Sequence, residues 1–235
     1  LYFRKVTKKL GLLLENSPKD ETVFQDFLER NPCMVPGSRD EFSSTGGGSG
    51  HGPYLHALIS QPDIKGIIHR KPDFLWIAYD SDYLVTTLVE IEAPGKNLFT
   101  QDHLPKAQFT RAKHPLEEWQ TILSRPQNIL SFYEDFSIPG DLRTLTFEPR
   151  YILVYGRRSE FEKDPILKQK RGFLMGENQT LMSYDRLSPA YARNHVTCLV
   201  RDGRYHAKVL SPLFHVGPLH EDLLLLNGLT GAVDH

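Results

Sequence analysis

Apolar and polar positions change period several times along this chain. Val6, Leu10 and Leu13 recur at helical spacing within residues 4–14. Val23, Phe24, Phe27 and Leu28 form the apolar face of a second helix over about residues 20–30. Asn16, Ser17 and Pro18 punctuate the first helix. Asn31-Pro32 stops the second, because a residue before proline is pushed out of the helical region. A short strand within Tyr54–Ile68 leads into two strand-like runs at about 73–79 and 83–92. The turn formers Asp80, Ser81 and Asp82 join these runs, and Pro94-Gly95 ends the second. Further on, the pattern predicts a helix over His103–Lys113, interrupted at Pro115 and continued by Leu116–Leu123, and a helix over Gln127–Phe136. It then predicts a buried strand at Arg150–Tyr155, a helix over Glu160–Lys170, a short strand at Thr180–Tyr184, and a final hairpin of His195–Val200 with Tyr205–Leu210. This order implies an α/β (α+β) fold with a mixed central sheet flanked by helices.

The hairpin has a chemical consequence. It returns the start of its first strand beside the end of its second, so Asp73 falls near Glu90 and Glu92. Alternation puts Glu90 and Glu92 on one face of the second strand, with Val89 and Ile91 on the other. Three carboxylates converging at a sheet edge make a hard-oxygen site suited to Mg²⁺ or Mn²⁺. Without Asp73 beside it, the glutamate pair would read as the exposed face of an edge strand.

Five stretches occur in a telling order: ETVFQDFLERNP (Glu21–Pro32), PDF (Pro72–Phe74), VEIEAPGKNLF (Val89–Phe99), KAQF (Lys106–Phe109) and LMSYDRL (Leu181–Leu187). Together they resemble the PD-(D/E)xK nuclease superfamily, and within it the nuclease domain of Shedu anti-phage defence proteins. The resemblance implies a restriction-endonuclease-like sheet and Mg²⁺-dependent (or Mn²⁺-dependent) cleavage of DNA. It also implies a homo-oligomer, dimer or tetramer. Its expected metal ligands are Asp73, Glu90, the Ile91 carbonyl and Glu92. Its expected catalytic residues are Asp73, Glu90, Glu92, Gln108 and Glu21. Glu21 would lean in from the first core helix, though the same residue would also complement that helix's N-terminal dipole. Gln108 would hold a water or a ligand from the helix after the strand.

The chain departs from the pattern at Glu92, where the family usually has lysine. Three accounts are open, and the sequence favours them in this order. Glu92 binds a second metal or accepts a proton from water. Alternatively, Lys96 reaches back across the Pro94-Gly95 turn and supplies the ammonium. Or the domain is catalytically inactive, a nucleic-acid-binding or oligomerisation module that kept the fold.

Composition adds bounds. With 235 residues, 40% hydrophobic and 24% charged, the chain has the make-up of a soluble domain with one sizeable core. The expected division is a helix and linker at 1–19, a nuclease-like core at 20–190, and a hairpin and tail at 191–235 packed on the core or on a partner subunit. The start at Leu1 without Met implies a piece of a longer protein. No apolar run has the length of a membrane span. Cys33 and Cys198 form no metal motif, which implies a reducing, cytoplasmic setting.

A net charge of −1 counts against nucleic acid, but basic residues cluster at Arg4, Lys5, Lys8 and Lys9, at Arg70 and Lys71 beside the site, and at Arg157, Arg158, Lys168, Lys170 and Arg171. The glycine-rich Ser43–Gly52 lacks the Gly-Lys-Ser/Thr ending of a nucleotide loop; it reads as a mobile loop, or as one whose backbone N–H groups touch phosphate. The histidines make no HExxH or zinc ladder, and no G-x-S-x-G elbow is present.

Overall fold

Local chemistry closes the hairpin as expected. Asp80 accepts hydrogen bonds from the backbone N–H groups of Asp82 (2.8 Å) and Tyr83 (2.7 Å), an Asx turn between β2 (Phe74–Tyr79) and β3 (Tyr83–Ile91). The computed structural model describes residues 1–37, 55–64, 71–136, 138–162, 164–190, 195–201, 204–208 and 230–233. The Ser43–Gly52 loop, Arg70 and most of the tail at 191–235 lie outside these.

The remaining described strands are β1 (Leu55–Ser60), β4 (Thr146–Val154), β5 (Gln179–Met182), β6 (His195–Arg201), β7 (Arg204–Lys208) and β8 (Thr230–Val233). The helices are α1 (Tyr2–Asn16), α2 (Glu21–Arg30), α3 (Ala107–Leu123), α4 (Pro126–Asp135) and α5 (Pro165–Arg171). The fold is thus α+β, with a mixed sheet flanked by helices. The described strands form one sheet in the order β5-β4-β3-β2-β1-β6-β7-β8. β1, β2 and β3 pair antiparallel, whereas β4 joins β3, β5 joins β4 and β6 joins β1 in parallel.

This order corrects one expectation. β3 lies between β2 and β4, so its glutamates sit at the end of an interior strand and not at a sheet edge. Every residue of β3 but Tyr83 is buried. Leu84 and Leu88 pack on one face, in a core shared with Phe109, Leu116 and Trp119 of α3 and Phe132 of α4. Val89 and Ile91 pack on the other, against Val6 and Leu10 of α1 and Phe24, Phe27 and Leu28 of α2. The strand aromatics Phe74, Trp76, Tyr79 and Tyr83 are expected in the core; Phe74 and Trp76 are there at 1% exposed and Tyr79 is half-buried against it, but Tyr83, beside the turn, is exposed.

Two helices differ from the pattern reading. α3 starts at Ala107, because His103 takes a left-handed φ of 59° and Phe99 bridges Pro105, which closes residues 99–105 into a tight loop. It then runs through Pro115 unbroken. Proline there removes a helical hydrogen bond, but the full burial of Leu116 beside it and of Trp119 one turn on holds the helix against the core. The expected helix at 160–170 begins instead at Pro165, a residue suited to a first helical turn, with Asp164 accepting from Ile166 N–H (2.9 Å) and Leu167 N–H (3.2 Å). Among the described residues, no helix is long and apolar enough to cross a membrane.

Candidate functional site

Phe74 pairs with Val89, which sets Asp73 across from Glu90 where β2 begins and β3 ends. Asp73 Oδ2 accepts a hydrogen bond from Ile91 N–H at 2.8 Å, so the carboxylate is drawn onto the end of β3. Glu90 is 3% exposed, and Glu92 just beyond the strand is 9% exposed. The N–H of Glu92 still bonds the Val154 carbonyl of β4 (3.0 Å). Structural carboxylates are seldom buried to this degree without a partner or a task.

Lys96 completes the arrangement. Its ammonium hydrogen-bonds Glu92 and lies 3.4 Å from Glu21 Oε2 on the first turn of α2. Backbone contacts deliver it there. The N–H of Gly95 donates to the Pro18 carbonyl between α1 and α2 at 2.6 Å. A Cβ at Gly95 would stand 2.8 Å from that same oxygen, so only glycine allows the turn to come this close. On the far side of Lys96, Leu98 and Phe99 donate their N–H groups to the two oxygens of Glu160, each at 2.9 Å. Gly156, with φ +67°, backs onto the Lys96 carbonyl, where a Cβ would come within 2.9 Å.

Electrostatics follow from this packing. Burial pushes the Glu92 carboxyl above its ordinary range; the hydrogen bond from Lys96 opposes the shift and the negative charge of Glu21 adds to it. Burial works against the Lys96 ammonium, but Glu92 and Glu21 outweigh it, so its pKa is raised and it stays charged.

A family model described as Shedu protein SduA, C-terminal, matches residues 18–188, well over half of the 235. The chain belongs to this Shedu SduA C-terminal family. Membership places it with the Shedu anti-phage defence proteins. No curated protein matches the chain.

The span matched to the SduA family opens at Pro18, the residue that clamps Gly95, and takes in Glu21, Asp73, Glu90, Ile91, Glu92, Lys96 and Gln108. The structure gathers Glu21, Glu92 and Lys96 into one cluster, and sets Asp73 against Glu90 and Ile91 beside it. Gln108 stands apart. It is exposed on the first turn of α3 and makes no hydrogen bond to these carboxylates, because its neighbour Phe109 takes the inward-facing position. Lys71, at the other flank, pairs with Asp63 at 3.6 Å.

Sequence reasoning missed Tyr184, although the stretch LMSYDRL contains it. Tyr184 follows β5, is fully buried, and meets Phe24 of α2 edge-on at 4.9 Å between ring centroids. Its hydroxyl has no hydrogen-bond partner among the described residues. Burial, and then the charges of Glu21, Asp73 and Glu92, hold the phenol well above its ordinary range. It is therefore a neutral, buried O–H within the field of those carboxylates.

Among the described residues, no three His, Cys, Asp or Glu side chains close on a point that would hold a metal ion. The reason is visible in the contacts, since Asp73 bonds Ile91 and Glu92 bonds Lys96. Mg²⁺ keeps several of its waters and needs only one or two carboxylates, so Asp73 and Glu90 suit it as a donor set. The unsatisfied donor of Tyr184 fits a hydrated cation in the same place.

Proposed function

We propose that this chain is a divalent-cation-dependent nuclease of the PD-(D/E)xK type that cleaves DNA phosphodiester bonds. The observation that carries the reading is Asp73 held on the end of β3, across from buried Glu90, with Lys96 brought in beside Glu92 and Glu21. Asp73, Glu90 and the Ile91 carbonyl would hold Mg²⁺ or Mn²⁺. Such a cation, when bound, acidifies water and neutralises charge developing on the phosphate.

Of the three accounts of Glu92, the geometry supports the second. Lys96 supplies the ammonium that the sequence motif lacks, and Glu92 is its partner. The raised pKa of Lys96 keeps it a donor, able to orient the attacking water or a phosphate oxygen. Glu21 holds it from the other side. A reducing, cytoplasmic setting fits the free, buried Cys33. We also infer a dimer or tetramer, since one site per subunit would serve two strands, and mass measurement in solution tests this.

The deciding experiment incubates linear, nicked and circular DNA with Mg²⁺, Mn²⁺ or EDTA. Cutting should need the cation and be lost in both Asp73→Ala and Glu90→Gln. A parent that binds DNA but never cuts with either cation would leave the second reading, an inactive nucleic-acid-binding or oligomerisation module. That reading draws on Asp73 and Glu92, whose carboxylates bond within the chain itself.

A further inference from the structure

Two buried tyrosine hydroxyls, those of Tyr151 and Tyr184, have no hydrogen-bond partner among the described residues. They differ in what surrounds them. Burial alone acts on Tyr151, whereas the charges of Glu21, Asp73 and Glu92 all act on Tyr184. These three carboxylates come from different elements: the start of α2, the residue before β2 and the residue after β3. They lie close enough to act on the hydroxyl, yet none accepts its hydrogen bond. A polar contact beyond direct reach is where a water is expected to stand.

The ring is firmly seated. Phe24 packs on its edge, Tyr184 N–H bonds the Gly156 carbonyl at 3.2 Å, and the next residue, Asp185, takes hydrogen bonds from Arg157 Nε, Arg157 Nη2 and Arg158 N–H. Its hydroxyl is thus aimed by the fold and not by chance of rotamer. Leaving a buried donor unsatisfied is unfavourable, and a fold keeps one where something else completes it.

We propose that Tyr184 is a positioning residue whose hydroxyl donates to a water of the cation's hydration shell, between Glu21, Asp73 and Glu92. The assignment rests on the cation reading above and extends it to a residue that binds through water and not as a ligand. Because the phenol stays protonated, it keeps the proton for this hydrogen bond, which takes one lone pair of the water and leaves the other for the metal and both protons for the carboxylates.

The test compares the parent, Tyr184→Phe and Asp73→Ala, using Mn²⁺ alone as the probe. Free Mn²⁺ is read by electron paramagnetic resonance, and the shell of bound Mn²⁺ by water-proton relaxation enhancement. Thermal unfolding is measured without metal. Tyr184→Phe should bind Mn²⁺ about fivefold to tenfold more weakly, with an altered relaxation enhancement and an unchanged metal-free Tm. Parent-like binding and enhancement in Tyr184→Phe, with binding lost in Asp73→Ala, would overturn the role of Tyr184 and leave the cation site standing. A metal-free Tm lowered by several degrees in Tyr184→Phe would also overturn it, by showing that the hydroxyl bonds the protein. If the parent binds no Mn²⁺, or Asp73→Ala binds it as well as the parent does, the cation site itself falls and the role of Tyr184 falls with it.

Discussion

Replacing Lys96 with methionine separates binding from catalysis, because the structure predicts opposite effects on the two. The parent cluster sets the carboxyl groups of Glu21, Asp73, Glu90 and Glu92 around one ammonium, and the variant removes that single positive charge. A unit charge acting on a divalent cation across about 6 Å contributes roughly 1.4 kcal/mol even at the dielectric of water. That is about tenfold in affinity, so Mn²⁺ should bind Lys96→Met about ten times more tightly. Stability should fall only modestly. The Lys96 side chain is 35% exposed and that of Glu21 46%, so their pair is worth no more than about 1 kcal/mol. The better-buried Glu92 adds a like amount when its partner goes. A loss of about 2 kcal/mol should lower Tm by about 4–8 °C in a chain of this size.

Catalysis should suffer far more, since removing one preorganised donor to developing charge costs about 10²–10³ in rate. The assay is calorimetric Mn²⁺ titration alongside single-turnover DNA cleavage at saturating Mn²⁺. Cleavage within threefold of the parent would refute the role given to Lys96 and return Glu92 as the acting group. Weaker Mn²⁺ binding would refute the electrostatic account of the cluster.

Two further perturbations probe the frame around the site. Glu160→Gln keeps one acceptor for the Leu98 and Phe99 N–H groups and loses the charge, which should cost about 1–2 kcal/mol, speed hydrogen exchange at those two amides and slow cleavage while leaving Mn²⁺ affinity unchanged. Parent-like exchange at both amides would show that Glu160 does not hold the Lys96 loop. For Asp185, burial favours the neutral acid, but the hydrogen bonds from Arg157 and Arg158 outweigh it and hold the carboxyl below its ordinary range. A depressed folded pKa means that the unfolded chain binds the proton first as pH falls. Its stabilising contribution is therefore present above the unfolded carboxylate pKa and is lost as pH drops through the folded one. Urea unfolding should show Asp185→Asn less stable than the parent by about 2 kcal/mol near neutrality, with the gap closing below about pH 4. A gap that stays constant down to acid pH would contradict that linkage.

What could be read without coordinates was local. Asp80 and Asp82 make a turn by their own chemistry, so the hairpin and the nearness of Asp73 to Glu90 followed from antiparallel geometry. Apolar periodicity placed α1, α2 and the strands β2 and β3, because each buries a face whose spacing the chain itself records. The Glu-for-Lys departure at residue 92 and the nearby Lys96 were both in plain view, but their ranking was not. The sequence reading favoured Glu92 as the acting group. The contacts of Gly95 with Pro18, and of Leu98 and Phe99 with Glu160, give the ammonium to the site, and these join residues far apart in the chain.

Only the tertiary structure decided the rest. Glu90 is buried because β4, some 60 residues on, lies parallel to β3 and makes it an interior strand. Gln108 points to solvent because Phe109 claims the core, and α3 survives Pro115 because Leu116 and Trp119 are buried. Tyr184 is buried just after β5 with Phe24 of α2 on its ring, a placement that no motif spacing encodes. The sequence by itself determined which residues could form turns, caps and apolar faces, since those preferences act over a few bonds. Which charged groups end up buried together depends on pairings between distant segments, and the free energy of those pairings exists only in the folded chain.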